Sequence, residues 1–249
     1  LEIIQKNWNH SFSADIISGL PEASSEYFVE TLQTLVSFNP DHISLYALTL
    51  EEETPLGSQI LSGKKFYDYD AADAQWVSGR DYLKSRGYGQ YEVSNFSKPG
   101  FESVHNKTYW HLENYIGIGA GASGSVYSEL GKDKNGIRWT NSKDISLYID
   151  FWKKNCLTED VNLPRITEVL SPKTQEFEFL MMGLRLLEGV SSSEYAKRFK
   201  KSLAERLGDI PGGLFDSWQK KNLACCYEKP SGKYYALTEP GILFLESLL

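Results

Sequence analysis

Cysteine is scarce: the chain of 249 residues has three, Cys156, Cys225 and Cys226. Three thiols make no secretory disulfide framework, and no signal peptide is legible, so a reducing, cytoplasmic setting is expected. Methionine is scarcer still, with Met181 and Met182 only. The chain opens on Leu1, which leads us to expect a portion of the protein upstream of it. Long apolar runs are lacking too, the longest being about ten residues where a membrane-spanning helix needs roughly 20. Positive charge is not in excess: 26 Lys and Arg stand against 33 Asp and Glu, a net charge of −7. A chain with no basic block lacks the footprint of a nucleic-acid backbone binder. At 41% hydrophobic and 24% charged it lies in the globular range, which excludes disorder and collagen-like order.

What is present alternates between strand and helix patterns. Residues 12–18 form a short apolar run ended by Gly19 and Pro21. Ser24 and Ser25 can cap a helix whose apolar positions Phe28, Leu32 and Leu35 recur at helical spacing. Asn39-Pro40 stops it. Residues 42–50 (HISLYALTL) read as a strand covered on both faces. Residues 68–85 fit a helix with Ala72, Trp76, Tyr82 and Leu83 inward. Residues 90–96 (QYEVSNF) return as a third strand and 115–122 (YIGIGAGA) as a fourth. This rhythm predicts a parallel sheet with crossover helices outside it.

From residue 129 to 143 the composition turns polar, with a turn at Asn135-Gly136. A helix is expected over 144–154 and a polar connection over 157–167. The remainder reads as helices at 174–187, 192–199 and 214–223, a hairpin around Ser231-Gly232, and a final apolar helix at 242–249. Helices flanking a hairpin suggest a small winged-helix unit.

Several residue patterns bear on chemistry. Gly119-Ala-Gly121-Ala-Ser-Gly124 matches GxGxxG. A dinucleotide fingerprint needs a helix to start there, whereas Gly131 and Asn135-Gly136 interrupt the chain. The glycines therefore read as places where backbones approach closely. Cys225-Cys226 are adjacent, and no CxxC occurs, so the thiols read as idle and no zinc site is expected. Glu51, Glu52 and Glu53 read as a solvated loop edge.

Asp15 lies within an apolar strand just before a Gly-Leu-Pro break. A carboxylate buried there must be paired or hydrogen-bonded. It can accept bonds from a ribose or an ammonium group at the carboxyl end of a parallel strand, or from loop amides as a structural group. His105-Asn106-Lys107-Thr108-Tyr109-Trp110 is the densest cluster. A loop histidine beside tyrosine and tryptophan can ligate iron under aromatic cover for a flat macrocycle. The same histidine can simply bond local backbone beside two core aromatics.

The segments ADIISGLP (14–21), NPDHISLYALTLEEETPL (39–56), GYGQYEVSNFSKPGFESVHNKTYW (87–110), YIGIGAGASG (115–124), FEFLMMGLRLLEGV (177–190) and YYALTEPGILFLESLL (234–249) occur in this order. Together they resemble the oxygen-independent coproporphyrinogen III oxidase family of radical S-adenosylmethionine (SAM) proteins. HNKTYW resembles the HNxxYW motif of the HemW-type heme-chaperone branch.

The resemblance implies an α/β fold: part of a parallel β/α barrel of the radical SAM type, without its N-terminal strands, then a mainly helical, winged-helix-like C-terminal domain. It divides the chain into residues 1–128 for the barrel, 129–170 for a connection and 171–249 for the C-terminal domain. It implies a [4Fe–4S] cluster on a CxxxCxxC motif, which these residues do not contain, with S-adenosylmethionine on the unique iron. Asp15 is implied as a contact of S-adenosylmethionine, Ile17 as a surface for its adenine, and Thr49 as a further candidate. His105 is implied as the heme-interacting histidine, with Asn106, Tyr109 and Trp110 completing the motif. The family often has a histidine in the stretch that reads Gly121-Ala122-Ser123-Gly124 here, and often arginine at the place of Val104.

Two activities follow from the resemblance. One is a heme-binding chaperone that delivers heme to target proteins, with heme or porphyrin and heme-accepting proteins as partners. The other is oxidative decarboxylation of coproporphyrinogen III in porphyrin synthesis, where a 5′-deoxyadenosyl radical takes a hydrogen from the substrate. A scaffold with neither activity is the third possibility.

Overall fold

The structure is a computed structural model that describes residues 1–21, 23–128, 134–155 and 164–245. Cys156, Gly131, most of the polar connection expected over 157–167 and the end of the helix expected over 242–249 lie outside the described residues. The chain divides into two compact units, Leu1–Ser103 and Val104–Leu249.

The first unit contains α1 (Glu2–Asn7), β1 (Ser13–Ser18), α2 (Ser25–Ser37), β2 (His42–Ala47), α3 (Pro55–Leu61), α4 (Tyr69–Ser85), β3 (Gly89–Gln90) and β4 (Asn95–Ser97). Both long helices begin on side-chain caps. Ser24 accepts the Tyr27 N–H at 3.2 Å, and Asp68 accepts that of Ala71 at 2.9 Å. The apolar stripes of α2 and α4 close over one face of the sheet. Phe28, Leu32, Leu35, Trp76 and Leu83 pack there with Ile43, Leu45 and Phe96, and Ala14 and Ile16 of β1 press against them. Each large side chain so buried contributes roughly 1.5–3 kcal/mol before conformational entropy is charged against it.

The sheet runs β1-β2-β4-β3. β1 and β2 are parallel across the crossover helix α2, as the alternation predicted. The third predicted strand is instead a hairpin, with β4 antiparallel to both β2 and β3. A parallel return needs a crossover of a dozen or so residues, and the four-residue turn Tyr91–Ser94 between β3 and β4 can make only an antiparallel pair.

The second unit contains α5 (Val104–Trp110), β5 (Ser123–Val126), β6 (Gly136–Asn141), α6 (Ile145–Asn155), β7 (Arg165–Leu170), α7 (Pro172–Gly183), β8 (Val190–Ser191), α8 (Ser192–Phe199), α9 (Leu203–Leu207), α10 (Leu214–Lys220), β9 (Ala224–Lys229), β10 (Gly232–Leu237) and α11 (Glu239–Ile242). The strand predicted over 115–122 does not form there. Tyr115 makes a single bridge to Ser125, and positive φ at Gly119 and Gly121 turns the chain into β5. β5 belongs to a separate antiparallel sheet, β5-β6-β7. Two of its strands occupy stretches that read as polar loop, because their side chains alternate between Arg138, Thr140 or Glu168 and apolar residues.

Beyond β7 the expected winged-helix arrangement is present. α7, α8 and α10 surround Leu180, Leu184, Tyr195, Phe215 and Trp218, and the β8-β10-β9 sheet supplies Val190, Ala224, Tyr235 and Leu237. The hairpin falls where Ser231-Gly232 predicted it.

Candidate functional site

Within the first unit, β1 has two unlike faces. Ala14 and Ile16 meet the helices, while Asp15 and Ile17 face the other way, with Asp15 exposed and Ile17 45% exposed. The carboxylate expected to be buried is therefore open, because α2 and α4 cover only the opposite face. Asp15 is the third of the six residues of β1.

The register extends this face across three strands. Ser13 stands beside His42, Asp15 beside Ser44 and Ile17 beside Tyr46; β4 then places Ser97 against His42 and Asn95 against Ser44. Ile17 and Tyr46, 42% exposed, form an apolar shelf next to the Asp15–Ser44–Asn95 row. Thr49 is exposed, two residues beyond the end of β2.

His42 is buried in this face. Its Nδ1 lies 2.8 Å from the Ser13 hydroxyl and its Nε2 lies 2.9 Å from the Tyr91 hydroxyl, which accepts the Ser103 N–H at 3.2 Å. Burial pushes the His42 pKa below the ordinary histidine value, and the nearby Asp15 charge opposes the shift.

Glu92, 1% exposed, lies in the β3–β4 turn. Burial raises its pKa, offset in part by hydrogen bonds from Ser94 and Asn95. Asn95 is 4% exposed, and its Oδ1 has no hydrogen-bond partner.

HNKTYW forms α5 rather than the loop expected from Pro99-Gly100. One helical turn separates His105 from Tyr109, so their rings meet edge-on at 4.9 Å, and Tyr109 meets Tyr115 in the same way at 4.7 Å. His105 is exposed, and neither ring nitrogen has a hydrogen-bond partner among the described residues. An accessible imidazole at the end of an aromatic row suits axial ligation of a metal in a flat, apolar ligand.

Asn106, Tyr109 and Trp110 are half-buried. The Arg185 guanidinium lies 5.8 Å from the Trp110 ring centroid, and the Trp110 Nε1–H is buried without a partner.

The sequence names Asp15, Ile17, His105 and Tyr109 as candidates, and the structure sets beside them His42, Ser44, Tyr46, Asn95, Tyr115 and Arg185, which the sequence did not name. The first three of these carried a signal. Alternate positions of HISLYA share one face, so once Ile43 and Leu45 are given to the core the other face is His42, Ser44 and Tyr46.

The groups implied by the resemblance fit unequally. A polar row with an open carboxylate and an orphaned buried Asn95 Oδ1, beside an apolar shelf, fits a nucleoside. An iron–sulfur cluster does not fit: no three His, Cys, Asp or Glu side chains form a metal-holding group among the described residues. Cys225 and Cys226 are free thiols on β9. Gly124 shows why the glycine-rich stretch is glycine-rich: a Cβ there would stand 2.3 Å from the Trp139 ring. No helix starts at Gly124, since β5 runs through it.

Residues 170–214 match the HemN C-terminal domain. The solved structure of coproporphyrinogen III oxidase (HemN) from Escherichia coli, described as a radical SAM enzyme, superposes with a TM-score of 0.68 at 16% identity. The match covers 96% of this chain and 54% of that one. The fold is thus α/β, part of a radical SAM barrel with a HemN-type C-terminal domain. Heme chaperone HemW of Lactococcus lactis subsp. lactis is 34% identical over 84% of this chain and 52% of its own length. The mouse mitochondrial protein called radical S-adenosyl methionine domain-containing protein 1 is 44% identical over 80% of this chain and 44% of its own. This chain belongs to the HemN/HemW family of radical SAM proteins. It spans about half the length of the curated relatives it matches.

Proposed function

We propose that this chain is part of a heme-binding chaperone that delivers heme to target proteins. The observation that carries the reading is the exposed His105 imidazole at the head of the His105–Tyr109–Tyr115 aromatic row. In this reading His105 supplies a nitrogen to heme iron. Tyr109 and Trp110 give apolar contact, and Asn106 completes the motif. The heme is cargo, so the site needs access more than enclosure, and an exposed imidazole provides it.

Asp15, Ile17 and Thr49 are proposed contacts of S-adenosylmethionine, which when bound to a reduced cluster is a source of radical chemistry. No group among the described residues is fit to hold a [4Fe–4S] cluster. Its ligands are assigned, in this reading, to the part of the relatives that these 249 residues do not span. We read residues 1–128 as barrel, 129–170 as connection and 171–249 as C-terminal domain. The HemN C-terminal match beginning at residue 170 supports the last of these.

A reducing compartment is proposed, the cytoplasm in our reading, with heme-accepting proteins rather than nucleic acid as partners. Among the described residues no helix is long and apolar enough to cross a membrane.

Two assays on the full-length protein test the reading: heme titration and turnover of coproporphyrinogen III. Saturable heme binding without decarboxylation supports the chaperone. Decarboxylation without heme retention supports the oxidase instead.

A further inference from the structure

We propose that Asn95 is a further contact of the nucleoside ligand, its Oδ1 accepting an N–H that the ligand presents across the sheet from Asp15. This inference rests on the reading of Asp15 as a nucleoside contact.

Three observations converge on it. First, Asp15 and Asn95 are both in register with Ser44, one on each side, and so share its face. Two strand spacings place them about 10 Å apart, within the span of a nucleoside carrying an amino-acid tail. Second, Asn95 lies next to the buried Glu92 side chain, whose Oε1 accepts the Ser94 N–H at 3.0 Å. Third, the Asn95 Oδ1 is buried and unpartnered. An orphaned buried acceptor costs about 1–3 kcal/mol. A ligand N–H arriving at this face removes that cost, and ligand hydroxyls are left to the Asp15 carboxylate.

The ligand's N–H can belong to its adenine amine or to its ammonium group, and analogue pairs separate the two. In the full-length protein, the affinities of adenosine and purine riboside differ by the amine alone. Those of S-adenosylhomocysteine and 5′-methylthioadenosine differ by the amino-acid end. Titration calorimetry should show a loss of about tenfold within one pair, and Asn95→Ala should erase that difference. Glu92→Gln, which keeps a polar side chain of the same shape beside Asn95, should leave it in place.

A thermal melt checks the fold. If Asn95→Ala does not fold, Asn95→Leu, of similar volume, replaces it. If neither pair differs in the wild-type protein, or a difference survives loss of Asn95, Oδ1 meets an ordered water only and the inference is overturned. Asp15→Asn keeps the two failures distinct. If it weakens every ligand while Asn95→Ala changes nothing, the inference falls alone. If neither substitution matters, the reading of Asp15 falls with it.

Discussion

His42 stands directly across from Ser13 in the β1–β2 register, with 2.8 Å between its Nδ1 and the serine hydroxyl. Burial favours the neutral ring, so the folded-state pKa lies below the unfolded value of 6.5. Between those two values the unfolded chain binds more protons than the folded one. Stability is therefore full above about pH 6.5 and falls as the pH drops toward the lowered value. Melting temperatures measured from pH 7.5 to 5 should show this slope, and His42→Gln should flatten it. An identical slope in the variant would place the acid sensitivity elsewhere.

Arg138 donates to Glu178 from both terminal guanidinium nitrogens, Nη1 and Nη2, at 3.0 and 2.6 Å. The Glu178 carboxylate is mostly enclosed, while the Arg138 side chain is 30% exposed and also lies 3.5 Å from Glu168, so Glu178→Ala removes a charged hydrogen-bond pair but leaves a partly solvated cation. The expected loss is about 1.5–3 kcal/mol. Urea unfolding of the second unit's signal measures it, and a loss below about 1 kcal/mol would mean that solvent already carries the pair.

Gly124 and Trp139 are in register on β5 and β6. A Gly124→Ala Cβ would stand 2.3 Å from the Trp139 ring, so the ring must shift. Overpacking of this kind costs about 1–3 kcal/mol. A lowered melting temperature with altered tryptophan emission is expected; an unchanged melt would show that the ring moves freely.

Tyr109 touches both His105 and Tyr115. Tyr109→Ala should weaken heme binding by about fivefold to tenfold through lost aromatic contact. The absorption spectrum of the bound heme should keep its axial-ligand signature. A changed signature with unchanged affinity would make Tyr109, not His105, the group on the iron.

Local signals were legible and long-range ones were not. α8 was read to the residue, and α2 and α4 nearly so, because caps and helical periodicity lie within a few positions. QYEVSNF looked like one strand because its residues favour extended backbone. Only the pairing of Asn95–Ser97 with both β2 and β3 shows the reversal inside it. Asp15 looked buried because its neighbours are apolar, yet what covers a strand is decided by helices distant in sequence. HNKTYW carried its residue types in plain view. Its helical form, and hence the meeting of His105 with Tyr109, did not follow from the Pro99-Gly100 turn before it.

The most direct test of the chaperone reading is heme titration of the full-length protein beside its His105→Ala variant, with folding checked by thermal melt. The account predicts a folded variant that binds heme at least tenfold more weakly and loses the histidine-ligated absorption signature. Unchanged affinity and spectrum in the folded variant would contradict it and show that another group holds the iron.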